Sequence, residues 1–103
     1  MDNADYSSYN NKNIVLNELI GLRVRVVKSL DKRQVGIRGA VVDETKNTLV
    51  VDTGHRQKRL VKATSTFRFY AGRKSFEVSG LEIDFRPEER IEKGMKYYRK
   101  RSL

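Results

Sequence analysis

Over Leu22–Lys28 the side chains alternate. Leu22, Val24 and Val26 fall on one face, and Arg23, Arg25 and Val27 on the other. A period of two marks a half-buried strand. The period returns where Ile37, Gly39 and Val41 oppose Arg38, Ala40 and Val42, and again in STFRFY (65–70), where Phe67 and Phe69 point inward and Arg68 outward. TLVVD (48–52) and QKRLVK (57–62) read as strands between them, and KSFEV and LEIDF supply the last strand material. Short strands at this spacing, joined by turn residues, predict a small closed or half-open β-barrel. Gly36 and Gly39 read as shape residues, because a glycine within a strand marks a bulge, a sharp bend or close approach of another backbone.

Two helical patterns frame the strands. NIVLNELIG (13–21) predicts a short helix with Asn13 as cap and Gly21 in the left-handed position after its last turn. RPEERIEKGMKYYRKRSL predicts another, with Pro87 at its first position, Glu88 and Glu89 near its start, and Lys96, Arg99, Lys100 and Arg101 near its end. Ile91, Met95 and Tyr98 would form its apolar stripe. Residues 1–12 hold few apolar groups and are expected to be disordered. The chain therefore divides into a tail (1–12), a barrel with flanking helical segments (13–93) and a basic helix end (94–103).

Charge narrows the function. The chain has 22 Lys and Arg against 13 Asp and Glu, a formal net charge of +9. Residues 1–21 are net −2, residues 22–85 net +7 and residues 86–103 net +4, so the basic charge belongs to the folded middle and the C-terminal segment. Such a balance points to a polyanion, either nucleic acid or an anionic membrane surface. No apolar run approaches a membrane span, and the polar, acidic start lacks the regions of a signal peptide. With no cysteine, disulfides and thiolate metal sites are excluded, and a cytoplasmic location is expected.

Catalysis by the chain itself is improbable. Its one histidine, His55, lies in a turn, and no serine has a suggested base. Asp43 and Glu44 are adjacent at a strand end, so their side chains diverge, and a buried or salt-bridged structural role suits them better than catalysis. A phosphate loop at Gly36–Gly39 fails, because no helix follows and no GK[ST] is present. Binding is the better class. Arg68 between Phe67 and Phe69, with Tyr70 beside them, fits RNA or single-strand recognition by backbone charge plus stacking. The candidate RNA contacts are Lys32, Arg33, Arg56, Lys58, Arg59, Arg68, Arg73, Lys74, Arg86, Arg90, Arg99, Lys100 and Arg101, with Tyr97 and Tyr98 as stacking rings. The acidic residues Glu18, Asp43 and Glu44 are candidates for a basic protein partner. No catalytic or metal-ligating residue is assigned.

NELIGLRVRVV, GIRGAVVDETKNTLVV, ATSTFRF and RPEERI, in this order, resemble the Sm-like protein subunit of archaeal ribonuclease P over about residues 13–93. The acidic start and the KYYRKR end lie outside that pattern. The resemblance implies a strongly bent antiparallel Sm-like barrel with a short N-terminal helix and a C-terminal helix. It implies an RNA-binding subunit that supports a catalytic RNA in removing the 5′ leader from precursor tRNA. That RNA would hold Mg²⁺, and this chain would hold no cofactor. Implied partners are the ribonuclease P RNA, a zinc-ribbon protein subunit and other protein subunits, with precursor tRNA contacted indirectly; no membrane and no homo-oligomeric ring are expected. Two other classes remain: a ribosomal or transcription-associated RNA-binding barrel, since VGIRGAVV also resembles the KOW pattern, and a protein-interaction barrel.

Overall fold

The computed structural model describes residues 5–103. Six strands form one antiparallel sheet: β1 (Arg23–Ser29), β2 (Arg38–Glu44), β3 (Thr48–Asp52), β4 (Gln57–Val61), β5 (Ser65–Ala71) and β6 (Lys74–Ser79). Their order across the sheet is β4-β3-β2-β1-β5-β6.

That order forces curvature. Strands β4 and β5 stand four places apart, which in a flat sheet is about 19 Å. Yet residues 62–64 alone join them, and so short a link reaches about 14 Å at most. The sheet must therefore fold over on itself. It does so around Val24, Val26, Val41, Leu49, Phe67 and Phe69, all buried. The bent Sm-like shape agrees with the sequence expectation, but β4 and β6 do not pair, so strand pairing leaves the sheet open.

Gly39 sits where β2 and β3 approach each other too closely for a side chain. A Cβ there would lie 2.1 Å from the Asp52 carbonyl oxygen on β3, with backbone on both sides of the clash. Gly39→Ala should therefore lower the unfolding free energy by about 1–3 kcal/mol or more. Urea denaturation checks this, and an unchanged midpoint would show that the bend does not depend on that close approach. Gly36, with φ of 86°, takes the left-handed turn before β2.

Two bulges interrupt the regular alternation. Register shifts between Val26 and Lys28 where β1 meets β5, and between Val41 and Asp43 where β2 meets β3. The second has a chemical consequence. Strict alternation from Val41 would place Glu44 outside, but the extra residue turns it into the core, where it is 6% exposed. There its Oε2 accepts from Lys62 Nζ at 2.8 Å and its Oε1 from Arg90 Nη2 at 2.9 Å. Lys62 also donates to the carbonyls of Thr45 and Phe85, and Arg90 to those of Val15 and Asn17. Burial pushes the Lys62 ammonium below its ordinary pKa of 10.5, against the opposing pull of Glu44. This triad ties the ends of β2 and β4 to both terminal segments.

Both helices differ from their predicted extent. The N-terminal one shrinks to a 3-10 turn, Asn13–Leu16, and Asn17 is already extended. Arg90 takes the carbonyls of Val15 and Asn17, and the Asn13 side chain bonds the Asn10 N–H and the Ser8 carbonyl instead of capping its own turn. The C-terminal helix divides at Gly94 into α1 (Arg90–Lys93) and α2 (Met95–Lys100). Gly94 is buried, and a Cβ on it would stand 3.3 Å from Leu16. Glu89 and Lys93, one turn apart, pair at 3.0 Å, whereas Ile91 of the predicted stripe is 66% exposed.

Residues 1–4 of the expected disordered tail lie outside the described residues. Residues 5–12 are packed rather than free. Tyr6 and Tyr9 meet edge to face at 5.2 Å and lie against the core, the Tyr9 hydroxyl donates to the Glu18 carbonyl, and Lys74 donates to the carbonyls of Ser7 and Tyr9. Among the described residues, no helix is long and apolar enough to cross a membrane.

Candidate nucleic-acid interface

The sheet's outer face carries its own pattern. Since Val24 and Val26 point inward, Arg23 and Arg25 point outward. The ladders set Arg25 opposite Arg38 on β2 and opposite Arg68 on β5, and set Arg23 opposite Tyr70. Arg38, Arg25 and Arg68 thus form one row across three strands. Directly opposed side chains of this kind stand roughly 5 Å apart, and like charges so placed destabilise a sheet. Arg68 is relieved by Glu77, its β6 neighbour, at 3.1 Å. Arg23, Arg25 and Arg38 form no salt bridge among the described residues. They are exposed, uncompensated and convergent.

These three arginines were not among the sequence candidates. The alternation of LRVRVVK already placed Arg23 and Arg25 on a common face, and that was the available signal. What brings Arg38, Arg68 and Tyr70 to the same face is strand pairing, which alternation within single strands does not give.

The sequence candidates fall into groups. Arg33, Lys58 and Arg59 come together: with Asp31, Gln34 and Ile37 they line a recess of about 320 Å³ between the β1–β2 loop and β4. Arg33 is held there by Asp31, whose carboxyl its guanidinium keeps below the usual carboxylate range. Lys32 is exposed on the same loop, and Arg56 on the β3–β4 turn. Arg73 and Lys74 share the β5–β6 turn with Tyr6, where Lys74 is engaged by backbone carbonyls of the N-terminal segment. Arg86, Arg99 and Lys100 are exposed.

Other candidates are differently employed. Arg90 is 2% exposed and spends its guanidinium on Glu44 and two carbonyls, so it cannot meet RNA. Glu44, offered to a protein partner, is buried in the same triad. Arg101 donates to Glu82 at 2.7 Å, to the Glu77 carbonyl and to Asn11, which clasps the C-terminal end to the N-terminal segment. Tyr97 packs near Phe85 and under Lys96, and Tyr98 lies under Lys12. Both rings are half-buried against the core, not open platforms.

Glu18 and Asp43 remain exposed. The β1–β2 ladder continues past Arg23, because Gly21 N–H donates to the Val41 carbonyl and Val41 N–H to that of Leu22. This runs Ile20 alongside Val42; both are exposed, at 43% and 40%. An acidic and apolar patch therefore adjoins the basic face. Among the described residues, no group of three or more His, Cys, Asp or Glu side chains is placed to hold a metal ion.

The family model for "Ribonuclease P/MRP, subunit p29" matches residues 12–93. The ribonuclease P protein component 1 of Archaeoglobus fulgidus is 43% identical over 82 residues, covering 80% of each chain. That of Methanocaldococcus jannaschii is 41% identical over 85 residues, 82% of this chain and 90% of the other. That of Pyrococcus furiosus is 44% identical over 86 residues, 82% of this chain and 67% of the other. Among solved structures, Mth11, described as a homologue of human RNase P protein Rpp29, superposes with a TM-score of 0.56 at 39% identity, over 72% of this chain and 97% of its own. Matched over all of its sheet and its buried triad, this chain belongs to the ribonuclease P/MRP subunit p29 family.

Proposed function

We propose that this chain is the RNA-binding protein subunit of a ribonuclease P, and that it meets the catalytic RNA through the outer face of β1, β2 and β5. The row of arginines in register carries this reading. Arg25 and Arg38, opposed in that row, and Arg23 beside them have no carboxylate partner among the described residues; the opposed charges weaken the free fold, and a phosphate backbone crossing the row would remove that repulsion while releasing its own counterions. The chain's part is then electrostatic and architectural. It neutralises phosphates where RNA segments must approach each other, and the RNA holds Mg²⁺ and performs the cleavage that removes the 5′ leader of precursor tRNA. The patch of Glu18, Ile20, Val42 and Asp43 is suited to a basic protein neighbour, here the zinc-ribbon subunit. Placed beside the arginine face, it would let protein and RNA be bound together.

Reconstitution tests this. The purified chain alone should cleave no precursor tRNA, and should accelerate cleavage when added to the ribonuclease P RNA with the other protein subunits. Glu18→Lys with Asp43→Lys should weaken that stimulation only when the zinc-ribbon subunit is present. RNA-free cleavage at the leader junction would overturn the reading of the chain as non-catalytic. Stimulation indifferent to the double reversal would place the protein interface elsewhere.

A further inference from the structure

The arginine face is not flat. Arg23, Val24, Arg25, Arg38 and Tyr70 line a recess of about 430 Å³, within the range of small-ligand sites, about 300–1,000 Å³. The side chain of Val24 is in the core, so its part in the recess is backbone. The walls are therefore three guanidinium groups and one phenol ring.

Tyr70 differs from the chain's other tyrosines. Tyr6 and Tyr9 face each other, Tyr97 has Phe85 and Lys96, and Tyr98 has Lys12. Tyr70 is 36% exposed, and no ring, cation or hydrogen-bond partner engages it among the described residues. Its strand partner is Arg23 on one side and Ser75 on the other. Both flanks of the recess are marked by carboxylates. Asp52 lines an adjoining recess with Arg23, Ala40, Thr53 and Gly54, and Glu77 pairs with Arg68.

We propose that this recess is a site for one unpaired ribonucleotide, its base stacked on Tyr70 and its phosphate held among Arg23, Arg25 and Arg38. The inference rests on the RNA-binding reading above and makes it more specific. In a duplex each base is stacked on its neighbours, so a ring on the sheet surface has no base face to meet. An unstacked base in a loop, bulge or single strand offers one. A guanidinium trio without an aromatic ring would bind duplex and single strand alike through phosphates. The ring adds discrimination by strandedness. Stacking tolerates any base, so the site would select an unpaired position rather than a sequence.

The test uses the full chain as wild type, Tyr70→Ala and Tyr70→Phe. Each is titrated at several salt concentrations with a mixed-sequence single-stranded oligoribonucleotide, a blunt RNA duplex of the same length, and the whole ribonuclease P RNA. Circular dichroism confirms folding of each variant, and Tyr70→Phe keeps the stacking ring if the alanine variant is unstable. Tyr70→Ala should weaken single-strand binding about 5- to 100-fold. Its salt slope and its duplex affinity should stay unchanged, and Tyr70→Phe should bind as wild type does. Unchanged single-strand affinity in Tyr70→Ala, an equal loss on duplex, or loss in Tyr70→Phe as well would overturn the nucleotide site. If the whole RNA still binds tightly in that case, RNA binding survives as a phosphate contact alone. Failure of the wild-type chain to bind any of the three RNAs would overturn both readings.

Discussion

Glu44→Ala should lower the stability of the protein by about 3–5 kcal/mol, which for a domain of this size lowers the Tm on the order of 20 °C. Among the described residues, Glu44 is the one carboxylate that forms ion pairs with the two buried cations, Lys62 and Arg90. Removing it leaves both charges in the core with backbone carbonyls as their hydrogen-bond partners and, for Lys62, the weaker pull of Asp84. Desolvation that the carboxylate had offset then counts in full against the folded state. The exposed pairs give the contrast. Asp31→Ala breaks the Arg33–Asp31 contact, whose arginine is 92% exposed, together with a turn cap on the Arg33 N–H; such surface pairs are worth about 0–1 kcal/mol and such caps about 1 kcal/mol. Glu44→Gln keeps the shape and some hydrogen bonding without the charge, and should fall between. Thermal and urea unfolding of the three variants decide the matter. A loss in Glu44→Ala no larger than in Asp31→Ala would mean that the triad does not hold the terminal segments to the sheet.

Glu44 also shows where the sequence stops being legible. Period-two patterns in LRVRVVK, GIRGAVV and STFRFY place their apolar residues on the core side, as the structure does for Val24, Val26, Val41, Phe67 and Phe69, because each segment buries one face. The bulge between Val41 and Asp43 breaks that inference one residue before Glu44. Nothing in VVDET announces an inserted residue, so a carboxylate that alternation sends outward goes inward. Arg90 follows from Glu44. In RPEERI it reads as one more surface cation, and only its buried carboxylate partner, 46 positions away in sequence, makes it a core residue. Lys62 reads as the polar end of QKRLVK for the same reason. The N-terminal helix over-extends in the sequence reading because NIVLNELIG has helical spacing throughout. The carbonyls that would continue the helix are taken by Arg90.

The same distinction separates what was seen of the interface from what was not. Outward orientation of Arg23 and Arg25 is a local property and could be read. Their confrontation with Arg38, Arg68 and Tyr70 depends on sheet order, in which β1 lies between β2 and β5 although some 35 residues separate β1 from β5 along the chain. Counting cations by segment put the basic charge on the folded middle and on the C-terminal segment, where KYYRKR joins cations to stackable rings. Folding spends Arg101 and both tyrosines of that segment on holding the molecule together. Charge density along a sequence is therefore a poor guide here to charge available at a surface.

Replacing Arg23, Arg25 and Arg38 together by glutamine should weaken binding to the ribonuclease P RNA about a hundredfold, taking roughly 1 kcal/mol for each lost contact. It should also flatten the dependence of log affinity on log salt by about two to three units, since each neutralised phosphate contributes roughly 0.7–0.9. Stability should move the other way. Arg25 faces Arg38 and Arg68 across its two ladders, and removing the central charge relieves repulsion worth up to about 1 kcal/mol for each opposed pair. A variant that binds RNA worse while unfolding no earlier cannot owe its defect to a damaged fold. Arg99→Gln with Lys100→Gln supplies the comparison, because both side chains are exposed and neither belongs to the sheet face. That double variant should change the slope less than the sheet variant does. Titration of the three proteins against the same RNA over a range of salt concentrations measures every term. An unchanged slope in the sheet variant, with a large change in the tail variant, would move the RNA contact from the outer sheet to the C-terminal helix. The opposed arginines would then be left as an unexplained cost to the fold.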